Sequence, residues 1–328
     1  MNILMMGNSS GSAMWRLEHP AKYLDELDGF SVKVINRLPE QWELDWGNVY
    51  VTQGQVEMHM LAEIMRQQAE NGKKWVVETD DYISLNDENP MKREHEKVNA
   101  EEILAVSMEE CDMVTTTTEY LAKKLKKFNE NVVVLPNMMD MDYWDLPLQE
   151  NDTGKVRIGW GGSITHLKDI ELVAKAMAEV LEERDNVEFI MVGDPRLEDY
   201  FPDSSGVSAL MGCPYNNWSQ KLHSMRYDIG IAPLVDNEFN RCKSNIKPLE
   251  YGICGVPSIA SPTEPYLRFN GLVGMAETKE DWKKQLLNWI DNPHERKEEG
   301  QKMRNYVKEF YDVKKHISLW VDAFSSLM

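Results

Sequence analysis

Apolar runs of strand length alternate with longer stretches of helical periodicity along most of the chain. Asn2 to Met6 reads as a strand. The loop Gly7-Asn8-Ser9-Ser10-Gly11 follows it, and then an amphipathic helix from about Trp15 to Leu27. Ser31 to Ile35 and Val49 to Thr52 are short strands. A helix from about Val56 stops at Asn71-Gly72, a pairing that ends helices because Asn and Gly tolerate the left-handed backbone. Lys74 to Glu78, Asp112 to Thr116 and Val132 to Leu135 continue the strand series. A strand after every helix is the pattern of a parallel sheet with crossover helices.

The pattern breaks at Leu146 to Gly154, which is polar, carries Pro147 and has no periodicity, so it reads as a linker. Alternation then restarts. Lys155 to Trp160, Val187 to Val192, Val207 to Met211, Asp228 to Ala232, Pro257 to Ala260 and Leu272 to Met275 are strands. Asp169 to Glu183, Pro248 to Ile253, Asp281 to Asn292 and Glu295 to Met328 are helical segments. The expectation is an α/β chain of two Rossmann-like, doubly wound parallel-sheet domains, 1–150 and 151–310, with a terminal helix over 311–328. Two such sheets facing a cleft would bind ligand beyond the carboxyl ends of their strands.

Composition narrows the function. The 328 residues agree with two domains at roughly 150 residues each. The net charge of −19 repels a polyanion at long range and argues against a nucleic-acid partner, although a local cationic cluster can still hold a phosphate. Cys111, Cys213, Cys242 and Cys254 form no CxxC pair, so neither a disulfide framework nor a zinc knuckle is expected, and a reducing cytoplasm fits. Met1 to Gly7 lacks the basic start and the apolar length of a signal peptide, and no run approaches the ~20 residues of a membrane helix. The seven histidines lack metal-ligand spacing, so no metal is expected.

The stretch Arg241 to Pro257 concentrates the chemistry. Arg241, Lys243 and Lys247 precede or open a helix that Ser244 or Asn245 can cap and whose first turn tolerates Pro248. Backbone N–H groups at such an end suit anionic oxygens, at Ser244, Asn245 and Ile246 in this case. Glu250 follows about one turn in, placed to accept hydrogen bonds from a diol. A capped surface helix with solvated lysines explains the same residues equally well.

The run KSxxKxxEYxxxGxP from Lys243 to Pro257 resembles the donor-site signature of GT-B glycosyltransferases, specifically the retaining group 1 or family 4. Ile158 to Asp169 looks like the glycine-rich loop that opens that family's nucleotide domain, and Asp228 to Leu234 like the strand before its donor motif. Asp112 to Glu119, Leu135 to Asp140 and Trp15 to Ala21 resemble segments of its first domain, in the same order. The resemblance implies a GT-B fold whose C-terminal helix returns to the first domain. It also implies a hexosyltransferase-like enzyme that moves a sugar from a UDP- or GDP-linked donor to an acceptor hydroxyl with retention and without a metal or other cofactor. Glu250 would bind ribose, and Lys243, Lys247 and Arg241 would neutralise the leaving diphosphate. Gly161, Gly162, Ser163 and His166 would contact the donor. Two departures stand out. Cys242 occupies a position where many members carry a second glutamate, and the first loop of the nucleotide domain lacks their Arg. A non-catalytic sugar-nucleotide or glycan-binding scaffold and a sugar-nucleotide epimerase therefore stay open.

On the acceptor or sugar side the candidates are Gly7, Gly11, Arg16, Asp80 and Asp81. The two aspartates end a strand and either bind hydroxyls or cap a turn. The acceptor is expected to be a glycan, a small molecule or a lipid-linked sugar. Leu121 to Phe128 places three apolar residues on one helical face among lysines, which suits either a solvated face or a weak peripheral contact with an anionic membrane.

Overall fold

The computed structural model describes residues 1–7, 11–54, 58–85, 92–201, 205–269 and 271–328. The chain forms two compact units. Unit 1 comprises Met1–Asp140, Arg241–Ser244 and Tyr311–Met328; unit 2 comprises Met141–Asn240 and Asn245–Phe310.

Unit 1 is built on strands β1 (Asn2–Met6), β2 (Ser31–Ile35), β3 (Val49–Gln53), β4 (Lys74–Thr79), β5 (Met113–Thr116) and β6 (Val132–Val134). They form one sheet in the order β2-β1-β3-β4-β5-β6, and every pairing is parallel. Ile3, Leu4, Val49, Tyr50, Val76, Val77, Met113 and Val114 are almost fully buried. Strands covered on both faces read as continuous apolar runs, which is why their sequence signal is strong.

Unit 2 repeats the plan with β7 (Val156–Gly161), β8 (Val187–Gly193), β9 (Val207–Met211), β10 (Ile229–Ala232), β11 (Ser258–Ala260) and β12 (Gly274–Met275). Its parallel sheet runs β12-β11-β10-β7-β8-β9. Ile158, Trp160, Val173, Met177, Phe189, Ile229, Ile231, Ile259 and Trp282 make its core.

The elements differ from expectation in several places. The first helix starts at Gly11 and passes through a widened π turn at Met14–Glu18 before His19–Asp25. A helix at Gln41–Trp46, held by reciprocal capping between Glu40 and Glu43, and another at Trp218–Met225 were not anticipated. The helical segment expected over Glu295 to Met328 is two helices, Pro293–Phe310 and Ser318–Ser325. It breaks because Tyr311 accepts a hydrogen bond from the Met139 amide and Val313 donates one to the Met139 carbonyl, and both side chains are buried. The polar stretch Leu146 to Gly154 lies inside unit 2, past the unit break at Asp140. Arg304 ties down its start by donating to Asp145 and to the Leu146 carbonyl.

Candidate functional site

In unit 2 the site grows from two sheet strands and the helix Ile246–Ile253. Asn245 occupies the cap position of that helix and is buried, but its side chain makes no capping bond to the first turn. The helix ends at Gly255, whose φ of +70° closes a turn in which its amide bonds the Gly252 carbonyl and the Val256 amide bonds the Tyr251 carbonyl.

Glu250 lies on the inner face of this helix and is 7% exposed. Its Oε1 accepts from Trp218 Nε1 at 2.9 Å and from Tyr215 Oη at 3.1 Å. Among the described residues no hydrogen bond reaches Oε2. Burial pushes the carboxyl up to about 7, against the Lys247 charge and the two hydrogen bonds. Lys247 stands one helical turn earlier, with Nζ 5.5 Å from the centre of the Trp160 ring.

The loop after β7 packs against the same group. A Cβ on Gly161 would lie 2.7 Å from the Trp218 ring, and one on Gly162 would meet the Trp160 ring at 2.6 Å and Lys247 Nζ at 3.4 Å. Aromatic packing alone therefore demands glycine at both positions. Ser163 is exposed and its hydroxyl pairs with Thr165 at 2.6 Å. His166 Nδ1 lies 2.7 Å from Asp169 Oδ2, while Asp169 Oδ1 accepts the Val235 amide and Asn240 Nδ2. With Nδ1–H donating to Asp169, Nε2 of the imidazole becomes an acceptor. Lys168 is exposed and pairs with Glu171.

Unit 1 holds the other half of the donor-motif candidates. Arg241, Cys242, Lys243 and Ser244 belong to it, not to unit 2. Cys242 is fully buried in the apolar cluster of Leu4, Trp75, Val77 and Leu121. A carboxylate placed in this apolar cluster would be desolvated. Lys243 Nζ pairs with Asp81 at 3.2 Å, and the Ser244 hydroxyl accepts from Asn137 Nδ2 at 2.7 Å. Arg241 is half-buried at the end of the short helix Glu238–Arg241. Of the three motif cations, Lys247 alone shares a unit with Glu250.

Arg16 sits in the π turn and is 2% exposed. It forms a two-pronged pair with Glu78, 2.7 and 3.0 Å, and donates to the Leu135 carbonyl and to Asn137 Oδ1. Thr115 Oγ1 donates to Glu78 Oε2 at 2.6 Å. Arg16 thus ties the first helix to β4, β5 and the segment after β6. Asp80, just past β4, is half-buried and its carboxyl is raised by desolvation and by the neighbouring Asp81 and Glu78 charges, with Arg16 opposing. Gly7 follows β1 and donates its amide to the Ile35 carbonyl, and Gly11 opens the first helix; Asn8, Ser9 and Ser10 lie outside the described residues. The lysine-rich helix Glu119–Leu125 turns Leu121 and Leu125 fully into the core, and Phe128 packs against it, so lysines make its outer face. Among the described residues no helix is long and apolar enough to cross a membrane.

Tyr215, Trp218 and Asp169 were missed as site residues. The signal available was a mid-helix Glu250 that, once buried, needs donors, but nothing in the sequence says which ones.

The two parallel six-stranded units define a GT-B fold, and comparison with solved structures agrees. The chain is similar to the catalytic domain of Arabidopsis thaliana starch synthase IV bound to ADP and acarbose, at TM-score 0.69 and 10% identity, covering 99% of each chain. It is similar to S. aureus TarM, solved with fondaparinux, α-GlcNAc-glycerol and UDP, at TM-score 0.64 and 14% identity, covering 84% of this chain and 55% of TarM. It thus spans about half of TarM's length. A putative UDP-N-acetylglucosamine 2-epimerase from Listeria monocytogenes matches at TM-score 0.56 and 11% identity, over 92% of this chain and 90% of that one. No protein-family model and no curated protein matches the chain.

Proposed function

We propose that the protein is a glycosyltransferase whose unit 2 binds a nucleotide diphosphate sugar. The observation that carries this reading is Glu250, a buried carboxylate with one oxygen held by neutral donors and the other without a hydrogen bond among the described residues, beside Lys247 at the start of a helix. The positive end of that helix and the Lys247 charge suit a diphosphate, and Glu250 Oε2 suits a ribose hydroxyl. UDP and GDP are the nucleotides we favour. TarM was solved with UDP and starch synthase IV with ADP, which supports a nucleoside diphosphate as the ligand class.

In the reaction the bond between the anomeric carbon and the diphosphate oxygen breaks, and an acceptor oxygen bonds that carbon on the same face. The acceptor proton passes to the departing diphosphate. Charge grows on the leaving oxygen, where Lys247 and the helix amides stabilise it without reorganising. This route needs no metal. The acceptor is a glycan, a small molecule or a lipid-linked sugar.

A second reading, a nucleotide-sugar binder or epimerase, draws on the buried Cys242 and on the likeness to the Listeria putative epimerase. Donor turnover in Lys247→Ala and Glu250→Ala variants tests the site, with products identified for UDP- and GDP-sugars. Each variant is expected to lose about tenfold to a hundredfold in turnover, the worth of one charged hydrogen bond, without unfolding. Unchanged turnover in both would remove the assignment, and an isomerised donor in place of a glycoside would favour the epimerase.

A further inference from the structure

Tyr215 and Trp218 come from a turn, Tyr215–Asn217, and the first residue of the helix Trp218–Met225. Neither belongs to the donor-motif segment, yet both donors converge on a single oxygen of Glu250. The turn is itself fixed. Tyr143 Oη donates to the Tyr215 carbonyl and accepts the Ser219 amide at 3.0 Å, while the Tyr143 carbonyl accepts Ser219 Oγ at 2.8 Å. The Trp218 ring also lies against Gly161, so one side chain touches both the glycine loop and the glutamate. An indole N–H can only donate, so the oxygen it meets, Oε1 at 2.9 Å, must accept. Both donors are neutral and sit on stiff aromatic side chains, so they set geometry without cancelling charge.

Building on the nucleotide-binding reading, we infer that Tyr215 and Trp218 are positioning residues for the donor. They clamp Glu250 by Oε1 so that Oε2 is presented to a vicinal diol, and Trp218 sets the distance between that oxygen and the Gly161 loop. Tyr143 braces the clamp from behind. The ligand class this selects is a ribonucleotide with both ribose hydroxyls present, because a fixed single oxygen rewards a diol held in one orientation.

The clamp has a signature that mere filling of space lacks. Each donor bond favours the charged carboxylate, so removing one makes Glu250 harder to ionise. Tyr143, Tyr251, Cys254 and Tyr266 also feel Glu250, and burial pushes all four upward, so they stay protonated near neutrality. Lys247 is the cation that opposes the Glu250 shift. The part of the pH limb of ribonucleotide binding that moves when Trp218 or Tyr215 is changed therefore belongs to Glu250, since the nucleotide's own phosphate is common to all the proteins compared.

The test is calorimetric titration of the full chain with UDP, GDP and ADP, and with the 2′-deoxy form of whichever binds, from about pH 5.5 to about pH 9. Wild type, Trp218→Phe and Tyr215→Phe are compared. The inference expects about tenfold or greater loss of ribonucleotide affinity at neutral pH in Trp218→Phe. It expects the acid limb to move to higher pH in both variants, and the preference for the ribose over the deoxyribose form to shrink. Tyr215→Phe removes only a hydroxyl, so it carries the same test if Trp218→Phe does not fold. Variants that bind with wild-type affinity, or that lose thermal stability with the pH limb and ribose preference unmoved, overturn the inference and leave the nucleotide reading standing. A wild-type protein that binds none of the three nucleotides overturns that reading and this inference with it.

Discussion

Glu78 in unit 1 and Glu250 in unit 2 are both deeply buried, 2% and 7% exposed, and the protein treats them in opposite ways. Glu78 receives a fixed cation on two prongs from Arg16 and a further bond from Thr115, so both its oxygens are occupied by protein. Glu250 receives two neutral donors on one oxygen. The first arrangement completes a structural joint. The second leaves a charged group under-compensated, which is costly in a folded chain and makes sense where a ligand supplies the remaining contacts.

The sharpest way to break this comparison is to remove the same charge from both residues. Glu78→Gln leaves Arg16 buried without its counter-charge, and such losses run to about 3–5 kcal/mol. Urea unfolding is expected to show a clearly lower midpoint. Equal stability to wild type would mean that Glu78 is not the joint described.

Glu250→Gln is expected to act with the opposite sign and on the order of 3 kcal/mol. The Glu250 carboxyl is raised from its ordinary value of 4.5 to about 7, so between those values the folded chain holds a proton that the unfolded chain has lost. Wild-type stability therefore falls as pH rises through that window, and the whole penalty is present above it. The variant escapes the penalty, so it should be more stable than wild type at about pH 8 and equal to it at about pH 4. Denaturant curves at the two pH values measure this, and a destabilised variant at the higher pH would contradict it.

Gly161→Ala forces a methyl into the Trp218 ring and should cost about 1–3 kcal/mol. Because Trp218 holds Glu250, nucleotide affinity should fall too, which separates this change from ordinary overpacking. Gly255→Ala is expected to have the smallest effect, about 1 kcal/mol from the left-handed backbone, because the exposed Leu148 methyls 3.2 Å from the new Cβ can give way, with nucleotide affinity unchanged. Thermal unfolding with and without nucleotide checks both.

The fold was legible because parallel strands buried on both faces leave unbroken apolar runs such as Val187 to Val192 and Lys74 to Glu78. Lys247, Glu250, Asn245 and the glycine loop were legible because one short helix start and one turn place them together locally. Trp218 and Tyr215 were not, because they meet Glu250 from 32 and 35 residues away, a pairing only the folded sheet creates. Arg241, Lys243 and Lys247 read as one cationic cluster in the sequence; in the folded chain Arg241 to Ser244 belong to unit 1 and Lys247 to unit 2, an assignment that adjacency in sequence does not reveal. Arg16 donates to Glu78, Leu135 and Asn137, partners 62 or more residues away that its sequence neighbourhood does not name. The break at Tyr311 was invisible for the same reason, since it depends on Met139 in a distant segment.

The most direct test of the central claim is the melting temperature of wild type and Glu250→Ala with saturating UDP, GDP or ADP. A ligand that binds only the folded state must raise it. The account predicts that at least one nucleotide raises the melting temperature of wild type, and that this rise is largely lost in Glu250→Ala. No rise with any nucleotide, or an equal rise in both proteins, would contradict it.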